Sequence, residues 1–325
     1  MDWKPHYRAE LETPAGRRTV DAILDAALDR DEGLASPRGI VSFPHTALAC
    51  AGPVQARVAA AVYRAGVDRV LVLGVLHGGC APIVRVAMDE ARPLAERRAA
   101  IDRAAGGHLM PSDGIDTPFG RLPLAATDED EAVPLRVDRD SLLADEFSLD
   151  TFCALMRRAA DVLDVRPIPV LPVFVGLTRD PLEGSFAVAE RLAVRIRALR
   201  DAASSMLVTT GDLVHYGTAY GAPDADASEP LEAIASRFRR EIDRTYTAAL
   251  RDREWALAHR LSSDLLHNDQ REIVAVISAL LGPAAHRLAQ FEMSDYADIL
   301  DAAPPCLVAS ALMIVEPDDG LPAVD

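Results

Sequence analysis

The sequence predicts an α/β fold: a single domain on a mainly parallel central sheet flanked by helices. Three observations carry that expectation. Of the 325 residues, 50% are hydrophobic and only 5% aromatic, with Ala, Leu and Val dominating, which suits helices packed on a buried sheet better than a β-sandwich. Residues 39–75 read as strand, helix and strand, the length that a right-handed parallel crossover requires. Finally, three strand-like apolar runs each end in a histidine: GIVSFPH on His45, DRVLVLGVLH on His77 and SMLVTTGDLVH on His215. Parallel strands gather their carboxyl ends on one edge, where ligand sites form, so these imidazoles could meet there. Histidine is the commonest metal ligand and the usual acid/base near neutral pH, and the convergence points to metal-assisted chemistry.

The elements follow in order. Residues 1–37 form an N-terminal segment with one amphipathic helix over 17–34, where Val20, Ile23, Leu24, Ala27 and Leu28 share a face and the helix ends near Gly33. The main domain spans 38–317. It opens with the strand 39–43, broken by Pro44, and a helix from Gly52-Pro53 to about Gly66 leads into the strand 69–75. Residues 81–145 read as irregular structure with short strands, an ordered insert over the strand edge with a turn at DTPFG. A helix over 148–162, a strand over 168–177, a helix over 186–200 and a strand over 205–210 follow. After a loop over 218–230 come helices at 230–250, 254–262 and 270–281, a last strand near 306–315 and a tail over 318–325.

Composition narrows the function. Fifty acidic against 34 basic residues give a formal charge of −16, which repels phosphate backbones and anionic lipid heads, so neither nucleic acid nor membrane is expected as a partner. The expected partner is a small-molecule substrate, with a homo-oligomer left open. Cys50, Cys80, Cys153 and Cys306 show no C-x-x-C spacing, so a reducing cytoplasm is expected rather than a disulfide framework. The N-terminus has no apolar core segment of a secretory signal, and no apolar run approaches the ~20 residues that cross a bilayer.

Each candidate has a bland reading beside the functional one. His45 after Pro44 could merely cap a strand; His77 sits before Gly78 and Gly79, which permit either a sharp turn or close approach to a ligand. His215 has Asp212 three residues before it, placed either to orient the imidazole or to cap a helix. Tyr216 and Tyr220 could line a pocket. The run Asp128-Glu129-Asp130-Glu131 lacks the spacing of a calcium loop and reads as solvated surface. Cys50 and Cys80, close after His45 and His77, read first as small apolar residues.

Six motifs in order, FPHTALACAGPVQARVAAAVYRAG, LVLGVLHGG, DTPFGRLPL, DEFSLDTFCALMRR, LPVFVGL and TTGDLVHYG, resemble the Memo family over roughly residues 38 to 315. That family is similar in fold to the class III extradiol dioxygenases. The resemblance implies that His45 and His77 bind a metal and that His215, with Asp212, takes the place of the catalytic histidine of related ring-cleaving enzymes. The family's EHSLE motif falls on Glu146-Phe147-Ser148-Leu149-Asp150, which keeps Glu146 in place and puts Phe147 where the family has histidine; Glu146 and, by its place beside His215, Tyr216 are expected at the substrate pocket.

This chain also departs from the family pattern. His45-Thr46-Ala47-Leu48 lacks the glycine and aromatic of the PHAGY motif, so the pocket wall should differ. Where the family has a third, cysteine ligand before a late helix, the register puts Asn268, with His267 and Asp269 beside it. Two histidines with a thiolate favour copper(I) or zinc, whereas two histidines with an oxygen ligand suit iron(II) and oxygen activation. The expected metal is therefore iron(II), with copper or zinc as alternatives. His45, His77 and Asn268 are the expected ligands, His267 or Asp269 replacing Asn268 if the register slips by one. The function implied is a dioxygenase-like oxidoreductase acting on a catechol, an aminophenol or another chelating small molecule. A non-catalytic metal-binding scaffold and a metal-dependent hydrolase are the alternatives.

Overall fold

The computed structural model describes residues 3–29, 34, 38–77, 80–127, 134–222, 225 and 228–318. Gly33, Gly78, Gly79, the Asp128–Glu131 run and all of the tail after residue 318 lie outside the described residues. The N-terminal segment holds two helices rather than one, α1 (Trp3–Glu12) and α2 (Pro14–Leu28). Thr13 ends one and caps the other: its hydroxyl accepts from Gly16 N at 3.0 Å, and Pro14 fills the first helical position, where no N–H is needed. Trp3, Tyr7 and Leu11 recur every four residues, but charges between them hide the stripe in the sequence.

Strand β1 (Ile40–Phe43), helix α3 (Leu48–Arg64) and strand β2 (Arg69–Val75) form the expected crossover. Helix α3 starts earlier than expected, and its first turn is capped from outside: the Glu10 carboxylate of α1 accepts from Leu48 N and Ala49 N, both at 2.8 Å. That cap ties α1 to the end of β1, where it matters for the site. The stretch expected to be irregular contains helices α4 (Cys80–Met88) and α5 (Leu94–Ala104). Only Ile101 and Ala104 of α5 are buried, so its pattern carries almost no period. Strand β3 (Gly107–Leu109), the hairpin β4 (Gly114–Thr117) and β5 (Gly120–Pro123), and strand β6 (Leu135–Val137) complete the insert. β3 and β6 extend the central sheet instead of lying over its edge.

The rest follows the expected order: α6 (Asp150–Val162), β7 (Val170–Val175), α7 (Ala187–Asp201), β8 (Ser205–Thr210), the short β9 (His215–Gly217), α8 (Leu231–Leu250), α9 (Trp255–Arg260) and α10 (Ile273–Leu281). Between α10 and the last strand lie a strand absent from the sequence reading, β10 (Ala284–Asp295), and a single helical turn, α11 (Ala297–Leu300). β10 pairs along its whole length with β11 (Cys306–Pro317), but a bulge between Leu288 and Gln290 breaks its alternation of apolar residues.

The sheet order is β10-β11-β1-β8-β2-β7-β3-β6, with β9 added to β11. Only the centre is continuously parallel: β1 with β8, β8 with β2 and β2 with β7. β11 runs antiparallel to β1 and β10, and β3 runs antiparallel to β7, so the sheet is mixed rather than mainly parallel. Helices cover both faces. Successive residues of β2 alternate between them: Leu71 and Leu73 join the core with α7, α8 and α10, while Val70 and Val72 join the core with α2, α3 and α6. Among the described residues no helix is long and apolar enough to cross a membrane.

Candidate metal centre

Strands β1, β8 and β2 are consecutive and parallel, so their carboxyl ends lie side by side. The chain leaves them as Pro44-His45, Gly211-Asp212 and Leu76-His77, which brings two imidazoles and a carboxylate to one edge. His45 Nε2 and His77 Nε2 both face the carboxylate of Asp269, at 2.9 Å from Oδ2 and 3.7 Å from Oδ1. One ligand atom from each of these three residues falls within 4.8 Å of the others. Donors about 2.1 Å from one ion stand roughly 3–3.4 Å apart, so the set fits a divalent metal. Two imidazoles with one carboxylate are the donors of non-haem iron(II) sites.

The third member corrects the expected ligand set. Asn268 is fully buried and its Oδ1 accepts from Gln270 N at 2.7 Å, so it serves as the cap of the turn before α10 and does not face the histidines. The imidazole of His267 stays outside the cluster, its Cε1 beside Gly221. What brings Asp269 inward is a stitched pair of loops. Asp269 N donates to Asp212 O, and Asp212 N returns the bond to Asp269 Oδ2, both at 3.1 Å. Gln270 Nε2 donates to Gly211 O at 3.0 Å. The loops touch so closely that a Cβ on Gly211, whose φ is +136°, would lie 2.9 Å from Gln270 Cγ. Glycine meets both demands.

Glu146 also has a different task from the one expected of it. Buried behind His77, it accepts from His77 N at 2.6 Å, meets His77 Nδ1 at 2.9 Å, and takes Phe147 N and Ser148 N, each at 2.9 Å. It aims the imidazole so that Nε2 faces Asp269, the role of a carboxylate behind a metal-bound histidine. Burial works against a charge on His77, but Asp269 and Glu146 outweigh it and raise its pKa to about 10. Burial likewise disfavours ionised Asp269, yet His215, His45 and His77 hold it well below the usual carboxylate range. The centre is thus an anionic carboxylate ringed by imidazoles, donors that could hold a divalent cation once the rings give up their protons.

His215 reaches the same carboxylate from the opposite loop, with Nε2 3.8 Å from Asp269 Oδ2. Its orientation comes from a residue other than the expected Asp212. His215 Nδ1 lies 2.9 Å from the carbonyl of His267; a carbonyl only accepts, so Nδ1 carries a hydrogen and Nε2 is the nitrogen that gains or loses a proton. Asp212 takes a hydrogen bond from Thr46 Oγ1, and its Oδ2 is 3.9 Å from His45 Nε2. Burial pushes its pKa up. Asp212, His215 and Asp269 make a second group of donor atoms within 4.8 Å, sharing Asp269 with the first.

A cavity of about 330 Å³ lies over these residues, with Trp3, Tyr7, Phe147, Tyr220 and Tyr296 among its walls. Phe147 stacks on His77 at 4.7 Å and 14° between ring planes, and Tyr220 packs on His215 at 4.9 Å. Tyr216, expected here, turns away to pack on Phe238 under Arg237. Trp3 and Tyr7 reach it through contacts between distant segments, the Glu10 cap on α3 and ring packing on Tyr296 and Phe147, which local sequence does not disclose.

No protein-family model and no curated protein matches this chain. A crystal structure of an uncharacterized protein from Escherichia coli K12 is similar over 86% of this chain and 99% of that one, with 13% sequence identity and a TM-score of 0.44.

Proposed function

We propose that this chain is a metal-dependent oxidoreductase of the non-haem iron(II) type, acting on a small chelating aromatic, with a Memo-like fold of the class III extradiol dioxygenase kind. The observation that carries it is the approach of His45 Nε2 and His77 Nε2 to one carboxylate, Asp269, with a third imidazole facing it. These three residues would hold the ion. Bound iron(II) supplies oxygen activation and lowers the pKa of a chelating hydroxyl.

The chain's own residues do the rest. His215 offers its Nε2 lone pair to a substrate hydroxyl proton and can return that proton to the product, because the His267 carbonyl fixes the other nitrogen as a donor. Glu146 keeps His77 from rotating. The aromatic walls offer faces for a planar ring to stack on, and Trp3 and Tyr7 shield it from water. The test is anaerobic reconstitution with iron(II), then elemental analysis and oxygen uptake with catechol and 2-aminophenol. About one iron per chain with substrate-dependent uptake supports the reading, and uptake unchanged by substrate refutes it.

A metal-dependent hydrolase is the second reading, favoured by the shared Asp269: Asp212, His215 and Asp269 form a second donor group that would hold a second ion, and metal would supply an activated water. Two metals per chain and no oxygen uptake would select it.

A further inference from the structure

His77 and Asp269 also wall a second cavity, of about 460 Å³, whose character is opposite to the aromatic one. Its apolar lining includes Val75, Leu76, Val84 and Leu177. Three arginines join that lining from three separate elements: Arg85 from α4, Arg179 from the loop after β7, and Arg271 from the turn before α10. None of the three is within ion-pair distance of a carboxylate among the described residues.

Neighbouring acids are engaged elsewhere. Asp180 pairs with Arg98 at 2.6 Å, and Asp89 is 3.3 Å from Arg92. Glu272, itself on the cavity wall, meets His259 with Oε1 at 3.0 Å and takes Thr178 N with Oε2 at 2.8 Å. Burial pushes the Cys80 thiol up to about 12, so it adds no negative charge. In a chain of net charge −16, three arginines outnumber the two carboxylates, Asp269 and Glu272, on the wall of this cavity, against the overall balance. Arginine's fork of donors matches carboxylate and phosphate oxygens, and such pairs strengthen where walls are apolar.

We propose that this cavity is an anion subsite: the substrate carries a carboxylate or phosphate that Arg85, Arg179 and Arg271 hold while its other end reaches His77 and Asp269. The part about the other end rests on the proposed metal centre; the anion site itself does not. It narrows the substrate class from a neutral chelating aromatic to an acidic one.

Calorimetry separates the two claims. Benzoate, phenyl phosphate and benzyl alcohol are titrated into the protein without added metal, and catechol into the iron-loaded protein. The expected result is that at least one anion binds, that benzyl alcohol does not, and that Arg85→Gln/Arg179→Gln/Arg271→Gln weakens the anion by about tenfold or more, the loss expected for charged hydrogen bonds. The corresponding triple Arg→Lys variant, which keeps the charge but not the fork, should fall between. Tighter binding of benzoate or of phenyl phosphate identifies the acid group. Equal affinity in wild type and Gln variant, or no anion binding at millimolar concentration, overturns the proposal. Loss of catechol binding alone, with anion binding intact, strikes the metal centre and leaves the subsite standing.

Discussion

The candidate metal centre draws its donor groups from two kinds of backbone, and the contrast explains which of them a sequence discloses. His45 and His77 leave the two strands, β1 and β2, that flank β8 in the parallel centre of the sheet, so the positions of their Cα atoms are fixed by strand pairing before any side chain is considered. Asp269 sits in a turn where His267 has φ +46° and Asn268 caps the residue two further on. One step along a strand end leaves the chain on the same sheet edge; one step along this turn moves a side chain from the metal pocket to the protein interior. The strand half is specified by topology, the loop half by hydrogen bonds.

The largest effect should come from the loop half. Asp269→Ala removes the carboxylate that all three histidines approach, and metal binding should be lost as completely as in the His45→Ala/His77→Ala variant, read by metal content after anaerobic reconstitution. Stoichiometry unchanged in Asp269→Ala would place the ion elsewhere and end the assignment. Next comes His215→Ala, which should cut turnover roughly 10²–10⁴-fold, the usual range for a proton-transfer group, while keeping the metal. If it empties the site as Asp269→Ala does, His215 is a ligand and the second donor group becomes the relevant one. Glu146→Gln tests the strand half from behind: weaker aiming of His77 should cost about 10–100-fold in metal affinity, as outer carboxylates do, with circular dichroism unchanged.

The same distinction governs how much of the molecule was legible. The β1–α3–β2 crossover, β7, β8 and β11 follow from apolar runs that are buried almost throughout, and with them the meeting of His45, His77 and His215 around one cavity. Helix α5 and strand β10 escaped because one buries too few residues and the other carries a bulge. The aromatic chamber escaped for a different reason: Trp3 and Tyr7 enter it through a cap between distant segments, Glu10 on Leu48 and Ala49, which no local periodicity encodes. Register alone favoured Asn268 and left His267 and Asp269 one residue away. The choice of Asp269 depends on the hydrogen bonds that its N–H and its carboxylate exchange with the Asp212 backbone, a contact 57 residues away in sequence.

The smallest expected effect falls on Asn268, and it discriminates most sharply between a ligand and a cap. Asn268→Ala removes the acceptor for Gln270 N and should lower stability by about 1 kcal/mol, the usual cost of losing a cap, with more if the buried N–H finds no water. Because its side chain faces away from the histidines, metal affinity should change only a few-fold, through loosening of the turn that holds Asp269. Asn268→Cys should behave likewise and leave metal preference unaltered, since a thiol there occupies the interior beside Tyr246 rather than the metal pocket. Thermal melts and zinc and iron(II) titrations on both variants provide the measurement. A switch toward zinc or copper in Asn268→Cys would show that the turn can present residue 268 to the metal, and the distinction drawn between strand-end and loop donors would then be one of population rather than of structure.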